Sequence, residues 1–561
     1  MPPHLHKTIS LSYDNKAFQA DEIIEGKATF RRAISYQPYL SLVEEAIDDH
    51  PVSAPPTSKY VSIVLPEPEI CQTQAKVQTG SQRLRWNLVF NILVWIICPL
   101  PIWLPFATNQ VAIYVVISIQ ACFGLIWLTI SLLAAKNAFI LYRSRNRDYS
   151  FLLSTESRHK IRHIVAISCY KEPLDLIKRS VDTVAAQTEV NHVSMVISFE
   201  ERTPDVHHKC DLLREHYANA GFHDLIFTIH PYGLPNEIPG KCSNANYALR
   251  TATKELNLTD NSLDEQILVT TCDADSQFHP QYIAALTYQY VQDKCPANGV
   301  IYQPPLFYNW NLDGSAFFTR VTGILRTTLM LGALIPFSIN TMSIFSFSLS
   351  LAKAGNYVHP GYQMDDIICL IRWMGVTGRR LSIHMVPTAV ISGPTCGRTV
   401  EIEFMEWARQ ARRWTIGAAE VFHYFMVKSR RIPFLTSFSW SLTFLIYYGI
   451  LLCSSGLFGL TSLFSTLFIL KNIPIEIIYI NYGLLALQMF SFAIGFFIDI
   501  VIPRMLNIDE CIFFLRNLFH FIMTPFVLIG YSFVEFYGLH EVLVRGKKVC
   551  KHGASNKAAL N

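Results

Sequence analysis

Charge-free stretches divide the chain. From Trp86 to Ala135 there is no Asp, Glu, Lys or Arg. A membrane span takes about 20 apolar residues, so this run predicts two spans, near 86–107 and 111–135. Pro99, Pro101 and Pro105 break it, and Asn109 and Gln110 lie just beyond. A second silent run, Ile432 to Leu470, predicts two more spans, turning at Ser454, Ser455 and Gly456. Ile477 to Ile498 predicts another, and Cys511 to Val534, interrupted by Arg516 and His520, a last one. The pattern predicts about six spans, two within 83–140 and about four within 432–540.

Between them, residues 150–430 change period. Apolar runs at 163–169, 193–199, 225–229 and 267–273 read as strands. Helical stretches follow them at 172–187, 206–219, 241–256 and 279–292. Strand–helix alternation predicts an α/β domain, Rossmann-like, with a mostly parallel sheet. Ligands of such sheets bind at the carboxyl ends of the strands. Residues 401–425 place Phe404, Met405, Trp407, Ala408, Ala411 and Trp414 at helical spacing, followed by Lys428, Arg430 and Arg431. That pattern predicts an amphipathic helix over 401–428 at the membrane surface.

Basic residues set the orientation. Lys76, Arg83 and Arg85 precede the first span, and Lys136, Arg143, Arg145 and Arg147 follow the second. Lys428, Arg430 and Arg431 precede the third, and Arg545, Lys547, Lys548 and Lys551 follow the last. Six spans put all four clusters on the cytosolic side. The central domain, the N-terminal region 1–82 and the basic tail 541–561 are then cytosolic, and the sequon Asn257-Leu258-Thr259 stays unmodified. Met1 to Gly80 shows no cleavable signal peptide, and Pro51 to Pro68 reads as linker or disorder. Composition agrees with a multi-pass protein: 51% of the 561 residues are hydrophobic and 16% charged, against about 25% charged in soluble domains. A net charge of +4 gives no argument for nucleic acid. The 13 scattered cysteines, without a CxxC pair, read as buried thiols in a reducing compartment.

Two strand ends carry chemistry. One leads into Tyr170-Lys171-Glu172, the other ends in Asp273-Ala274-Asp275. Asp-x-Asp suits Mg²⁺ or Mn²⁺ bridging a diphosphate; the plainer reading is an acidic turn capping the next helix. Asp365 and Asp366 open a predicted helix, where a carboxylate caps free amides or serves as a general base. Trp414 is a membrane-interface anchor by periodicity alone.

These motifs occur in order: Asp273-Ala274-Asp275, then Met364-Asp365-Asp366, then Gln410-Ala411-Arg412-Arg413-Trp414. In that order they resemble the D…DxD…(T/E)D…QxxRW signature of family-2 processive glycosyltransferases, the cellulose, chitin and hyaluronan synthases. The resemblance covers about 86–540 and implies a glycosyltransferase-A type domain. It implies Asp366 as catalytic base with Asp365 its acidic neighbour, and Tyr170 and Glu172 as nucleotide contacts. Lys241 would approach the diphosphate, with Asn244 or Asn246 framing it. Asp273 and Asp275 would hold the ribose side and the metal, Mg²⁺ or Mn²⁺. Gln410 and Arg413 would approach the donor diphosphate, and Trp414 would carry the acceptor sugar. The sequence departs from the family at VISFEERTPD, where Glu200 or Glu201 takes the place of the second motif, and at PFSINTMS, 336–343.

The implied activity is an inverting transfer from a nucleotide-sugar, a UDP-sugar in the leading reading, to a growing β-linked polysaccharide exported across the plasma membrane. The implied partners are the donor, a glycan acceptor and membrane lipids. The alternative is a non-processive enzyme adding one or a few sugars to a lipid or glycan acceptor, GDP-mannose being one candidate donor. A channel or scaffold with an inactive domain is the reading from another class.

Overall fold

A computed structural model describes residues 59–60 and 83–550, apart from 109–110, 155–156, 158–159, 259, 309–314, 394–396, 398 and 506–513. The expectations for the rest of 1–82, for Asn109 and Gln110, for Thr259 of the sequon and for the tail beyond 550 lie outside the described residues.

Strands β1 (Lys59–Tyr60), β2 (Arg162–Cys169), β3 (Val193–Glu200), β4 (Asp224–His230) and β5 (Ile267–Asp273) are followed by β6 (Gln277–Phe278), β7 (Val300–Gln303), β8 (Leu306–Phe307), β9 (Phe345–Ser348), β10 (Ser382–Met385) and β11 (Val390–Ile391). Eight form one sheet in the order β1-β4-β3-β2-β5-β9-β7-β10, and β6-β11-β8 form a second, small sheet. β3, β2 and β5 are parallel in continuous register, with Ala166 opposite Val196 on one side and Thr271 on the other. Their side chains are buried on both faces, which explains why they read as unbroken apolar runs.

The sheet is mostly parallel, as expected, but mixed, because β9 runs antiparallel to its neighbours β5 and β7. β9 begins beside the carboxyl end of β5, with Phe345 opposite Thr271. This brings residues 340–343 to the loaded strand ends. β1, inside the segment read as linker, pairs parallel with β4.

The apolar helices differ from expectation in number. The first silent run holds α1 (Asn87–Ile97) and α2 (Leu100–Thr108), bent by 60°, because Pro99 and Pro101 remove backbone donors at the junction. α3 (Val111–Ser144) is longer than expected and carries Lys136 and Arg143. The run from Ile432 to Leu470 does not turn: α11 (Phe434–Phe468) is one helix with a π-helical stretch at Ile446–Ser454. Its serines bond backward within the helix, Ser454 Oγ to the Gly449 carbonyl at 2.7 Å and Ser455 Oγ to the Leu451 carbonyl at 2.5 Å. Gly456 serves close packing, since a Cβ there would stand 2.6 Å from the Leu528 carbonyl oxygen. α12 (Ile475–Met505) and a last helix complete the set. Four helices among the described residues are long and apolar enough to span, or five if the bent pair counts as one span, instead of six.

In the α/β domain, α4 (Leu174–Ala185), α5 (Val206–His216), α6 (Lys241–Glu255) and α7 (Tyr282–Gln292) follow the predicted positions. α8 (Phe317–Leu329), α9 (Asp365–Thr377) and α10 (Val400–Lys428) come between β8 and the membrane helices. α10 is not simply a surface helix: it docks along the last helix, α13 (Phe514–Arg545). Trp407 faces Gly530, Thr415 faces Gly538 and Arg412 Nε donates to Glu541 at 2.7 Å, so the two helices run parallel. Lys547 reaches Glu420 and the Gly361 carbonyl, the latter at 3.0 Å. The last basic cluster therefore contacts the α/β domain. The charges inside the fourth apolar run are likewise taken up: Arg516 donates to the Ser315 carbonyl, and His520 lies 3.3 Å from Arg320, which pairs with Asp499 at 2.8 Å.

Candidate active site

A cleft with about 1170 Å³ of space, open solvent included, lies at the carboxyl ends of β2, β3 and β5. Tyr170, Glu172, Glu200, Lys241, Asn244, Asp273, Asp365, Asp366, Gln410, Arg413 and Trp414 all line it. Residues separated by up to 244 positions thus meet, because β2, β3 and β5 end together and α9 and α10 close the opposite wall.

Each side chain has a local cause. Gly240 has φ +148°, a conformation that favours glycine, and starts α6 so that Lys241 faces the strand ends. Lys241 Nζ sits 3.0 Å from Asp273 and 3.1 Å from Asp365, and donates to the Ser343 carbonyl at 2.7 Å. Burial works against its charge, but Asp273 and Asp365 outweigh burial and raise its pKa. Asp365 and Asp366 form the first turn of α9, where the helix N-terminus favours anions. Asp366 Oδ1 accepts from Ile367 N at 2.9 Å, so it caps the helix while still lining the cleft. Burial and then the neighbouring Asp365 push the Asp366 carboxyl up to about 7. Burial also raises Asp365, against the pull of Lys241.

Asp275 is buried behind this wall, its Oδ2 accepting from Gly393 N at 3.0 Å and Ser392 Oγ at 3.3 Å. Glu200, at the end of β3, pairs with Arg202 at 2.8 Å. Arg202 also stands over the rings of Tyr170 at 5.2 Å and Tyr232 at 4.2 Å. Glu201 instead accepts from Tyr232 N at 2.8 Å. Of the two candidates, Glu200 is the one on the cleft. Glu172 accepts from Tyr170 N at 2.6 Å, shaping that turn. Asn244 bonds the Cys169 and Ser198 carbonyls and ties β2 to β3, whereas Asn246 turns away to the Val358 carbonyl.

Trp414 points into the cleft rather than to lipid. Burial pulls Arg413 below the ordinary arginine value, against Asp273. Asp273 lines the cleft with a hard oxygen donor of the kind a divalent cation takes, whereas Asp275, expected beside it, does not line the cleft and is held by the Ser392–Gly393 turn. Among the described residues no cluster of three or more ligating side chains stands ready.

A second, inner cavity with about 690 Å³ of space, open solvent included, adjoins the first. Its walls come from α3, α8, α11 and α13, including Trp127, Leu325, Tyr447, Tyr448, Leu528 and Glu535. Arg326, Met364, Asp366 and Trp414 line both. Sequence reasoning missed Arg326, Tyr308, Ser343, Gln363 and the Ser392–Gly393 turn. Of these only PFSINTMS carried a signal: Asn340, Thr341 and Met342 line the inner cavity and Thr341 Oγ1 donates to the Asp366 carbonyl at 3.2 Å.

No protein-family model matches this sequence, and no curated protein does. Three solved structures are similar in part. The mannosyltransferase PcManGT from Pyrobaculum calidifontis, in complex with GDP-Man and Mn²⁺, is 12% identical with a TM-score of 0.39, covering 69% of this chain and 98% of its own. GalNAc-T7 with UDP, GalNAc and Mn²⁺ is 10% identical at 0.31, covering 52% and 58%. TarS from S. aureus is 10% identical at 0.27, covering 46% and 40%. These are partial likenesses at low identity, and none of them assigns this chain to a family.

Proposed function

We propose that the chain is a membrane-embedded inverting glycosyltransferase that extends a β-linked glycan from a nucleotide-sugar donor and passes the product outward. One observation carries the reading. Asp366 and Trp414 stand at the junction of a cleft rimmed by strand-end carboxylates and cations and a cavity walled by apolar helices. Donor and acceptor chemistry are thereby separated, with a carboxylate and an aromatic ring between them.

The donor diphosphate belongs to the strand-end side. Lys241 and Arg413 offset its charge there, and Gln410 offers an amide. Mg²⁺ or Mn²⁺ on Asp273 would, when bound, neutralise the leaving diphosphate. Trp414 presents a ring to the C–H face of the acceptor sugar. Asp366 removes the acceptor hydroxyl proton. That oxygen forms the new bond to the anomeric carbon as the bond to the phosphate oxygen breaks, and the nucleoside diphosphate leaves with the electron pair. Attack opposite the diphosphate inverts the centre. Glu200 and Tyr170 frame the nucleobase. The catalytic domain faces the cytosol and the membrane is the plasma membrane.

The second reading is non-processive transfer to a lipid-linked acceptor. It is favoured by the apolar side of the inner cavity, where Leu325, Leu329, Leu452 and Leu528 line the wall. Sizing the product made from labelled UDP- and GDP-sugars separates the two. A ladder or polymer supports the first reading, and a single addition supports the second.

A further inference from the structure

Resting on this reading, we propose that Arg326 selects an acceptor bearing an anionic group, a carboxylate or a phosphate, at the junction of the two cavities. Its guanidinium lies 3.4 Å from the centroid of the Trp414 ring and 5.3 Å from that of Tyr308. The side chain is half-buried, and these two rings are the partners found for it among the described residues. Neighbouring cations have carboxylate partners: Lys241 has Asp273 and Asp365, Arg202 has Glu200, and Arg320 has Asp499. A charge inside a protein normally has an ionic or hydrogen-bonding partner. Arg326 instead holds a ring face, which fixes the plane of its fork and leaves the N–H edge for a planar anion.

The position decides which substrate supplies that anion. The strand-end side already has Lys241 and Arg413 for a diphosphate. Arg326 lines both the strand-end cleft and the inner cavity, and the inner cavity's Tyr447, Tyr448 and Tyr531 add hydroxyls on the side away from Lys241 and Arg413. Glu535, the other carboxyl on that cavity besides Asp366, accepts from Cys453 Sγ at 3.2 Å, and both carboxyls feel the Arg326 charge without a direct ion pair to it. An acceptor stacked at Trp414 would therefore meet a fixed cation beside it.

The test is equilibrium binding to the full-length protein in detergent, which needs no turnover. The probes are a uronate-terminated disaccharide against its neutral counterpart, and farnesyl phosphate against farnesol. Charge-assisted hydrogen bonds predict a preference of roughly 10- to 100-fold for the anion in one pair, which names its source. Arg326→Gln should erase the preference and Arg326→Lys should keep part of it, with Mn²⁺–nucleotide binding unchanged within about two-fold. Equal affinity for charged and neutral probes in the wild type would overturn the proposal. So would a preference that survives Arg326→Gln, or an equal loss of nucleotide binding, which would place Arg326 on the donor. If Arg326→Gln does not fold, the wild-type preference and Arg326→Lys still decide. Donor hydrolysis by the wild type, run alongside, tests the glycosyltransferase reading independently.

Discussion

Replacing Lys241 by methionine keeps the length of the side chain and removes the one charge that bridges two carboxylates. Lys241 Nζ stands 3.0 Å from Asp273 and 3.1 Å from Asp365, and the side chains are 13%, 29% and 7% exposed. Removing one partner of a buried ion pair costs about 3–5 kcal/mol. Asp273 is partly solvated, so the lower end applies, about 3 kcal/mol. At about 2.1 cal/mol/K of unfolding entropy per residue, 561 residues give about 1.2 kcal/mol/K, so this lowers the thermal midpoint of the purified protein by roughly 2–3 °C at a fixed scan rate. A second effect follows from the same charge. Lys241 opposes protonation of Asp366, so without it the acid limb of the transfer rate moves to higher pH. Lys241→Arg should restore most of the midpoint and return the limb. A double-mutant cycle with Asp365→Asn should show coupling above about 0.5 kcal/mol. A Lys241→Met protein with the wild-type midpoint and an unmoved limb would refute the bridging role.

Other outcomes follow from the same geometry. With Asp366 raised to about 7 by burial and Asp365, its carboxyl is neutral below that pH and cannot accept a proton, so kcat/KM should rise with pH through about 7 and level off above. An acid-side profile flat down to pH 5 would contradict this. Trp414→Ala should raise the acceptor KM roughly ten-fold while leaving nucleotide affinity near wild type, and Trp414→Phe should recover part of the loss. Gly456→Ala forces a Cβ to within 2.6 Å of the Leu528 carbonyl and 2.8 Å of Ser532 Oγ. It should destabilise the α11–α13 contact by about 1–3 kcal/mol, read as a lower thermal midpoint. Chelation by EDTA should stop transfer, and Mn²⁺ or Mg²⁺ should restore it.

What the sequence revealed of this arrangement depended on range. β2, β3, β4 and β5 were readable because each is buried on both faces and spells its burial as an apolar run. Asp365 and Asp366 were visible as a helix start, and the cap and the cleft position coexist in one carboxylate. Ser454-Ser455-Gly456 misled because the same residues that favour turns also let helices touch. The serines bond within α11 and Gly456 admits Leu528 and Ser532 of α13. β9 was hidden because it is a short strand whose antiparallel partners, β5 and β7, lie far away in sequence, with Phe345 opposite Thr271. Arg326 was invisible for the same reason: in the helical stretch TRVTGILRTT it resembles any surface arginine, and its ring partner lies on another helix.

The central claim is that Asp366 removes the acceptor proton at a junction where donor and acceptor meet. The measurement closest to it offers labelled UDP- and GDP-sugars with Mn²⁺ to purified wild type and Asp366→Asn, follows transfer, and measures nucleotide binding on the same samples. The wild type should transfer, and Asp366→Asn should lose roughly 10²- to 10⁴-fold in rate with nucleotide affinity retained. Transfer by Asp366→Asn at the wild-type rate, or loss of nucleotide binding to the same extent as transfer, would contradict it.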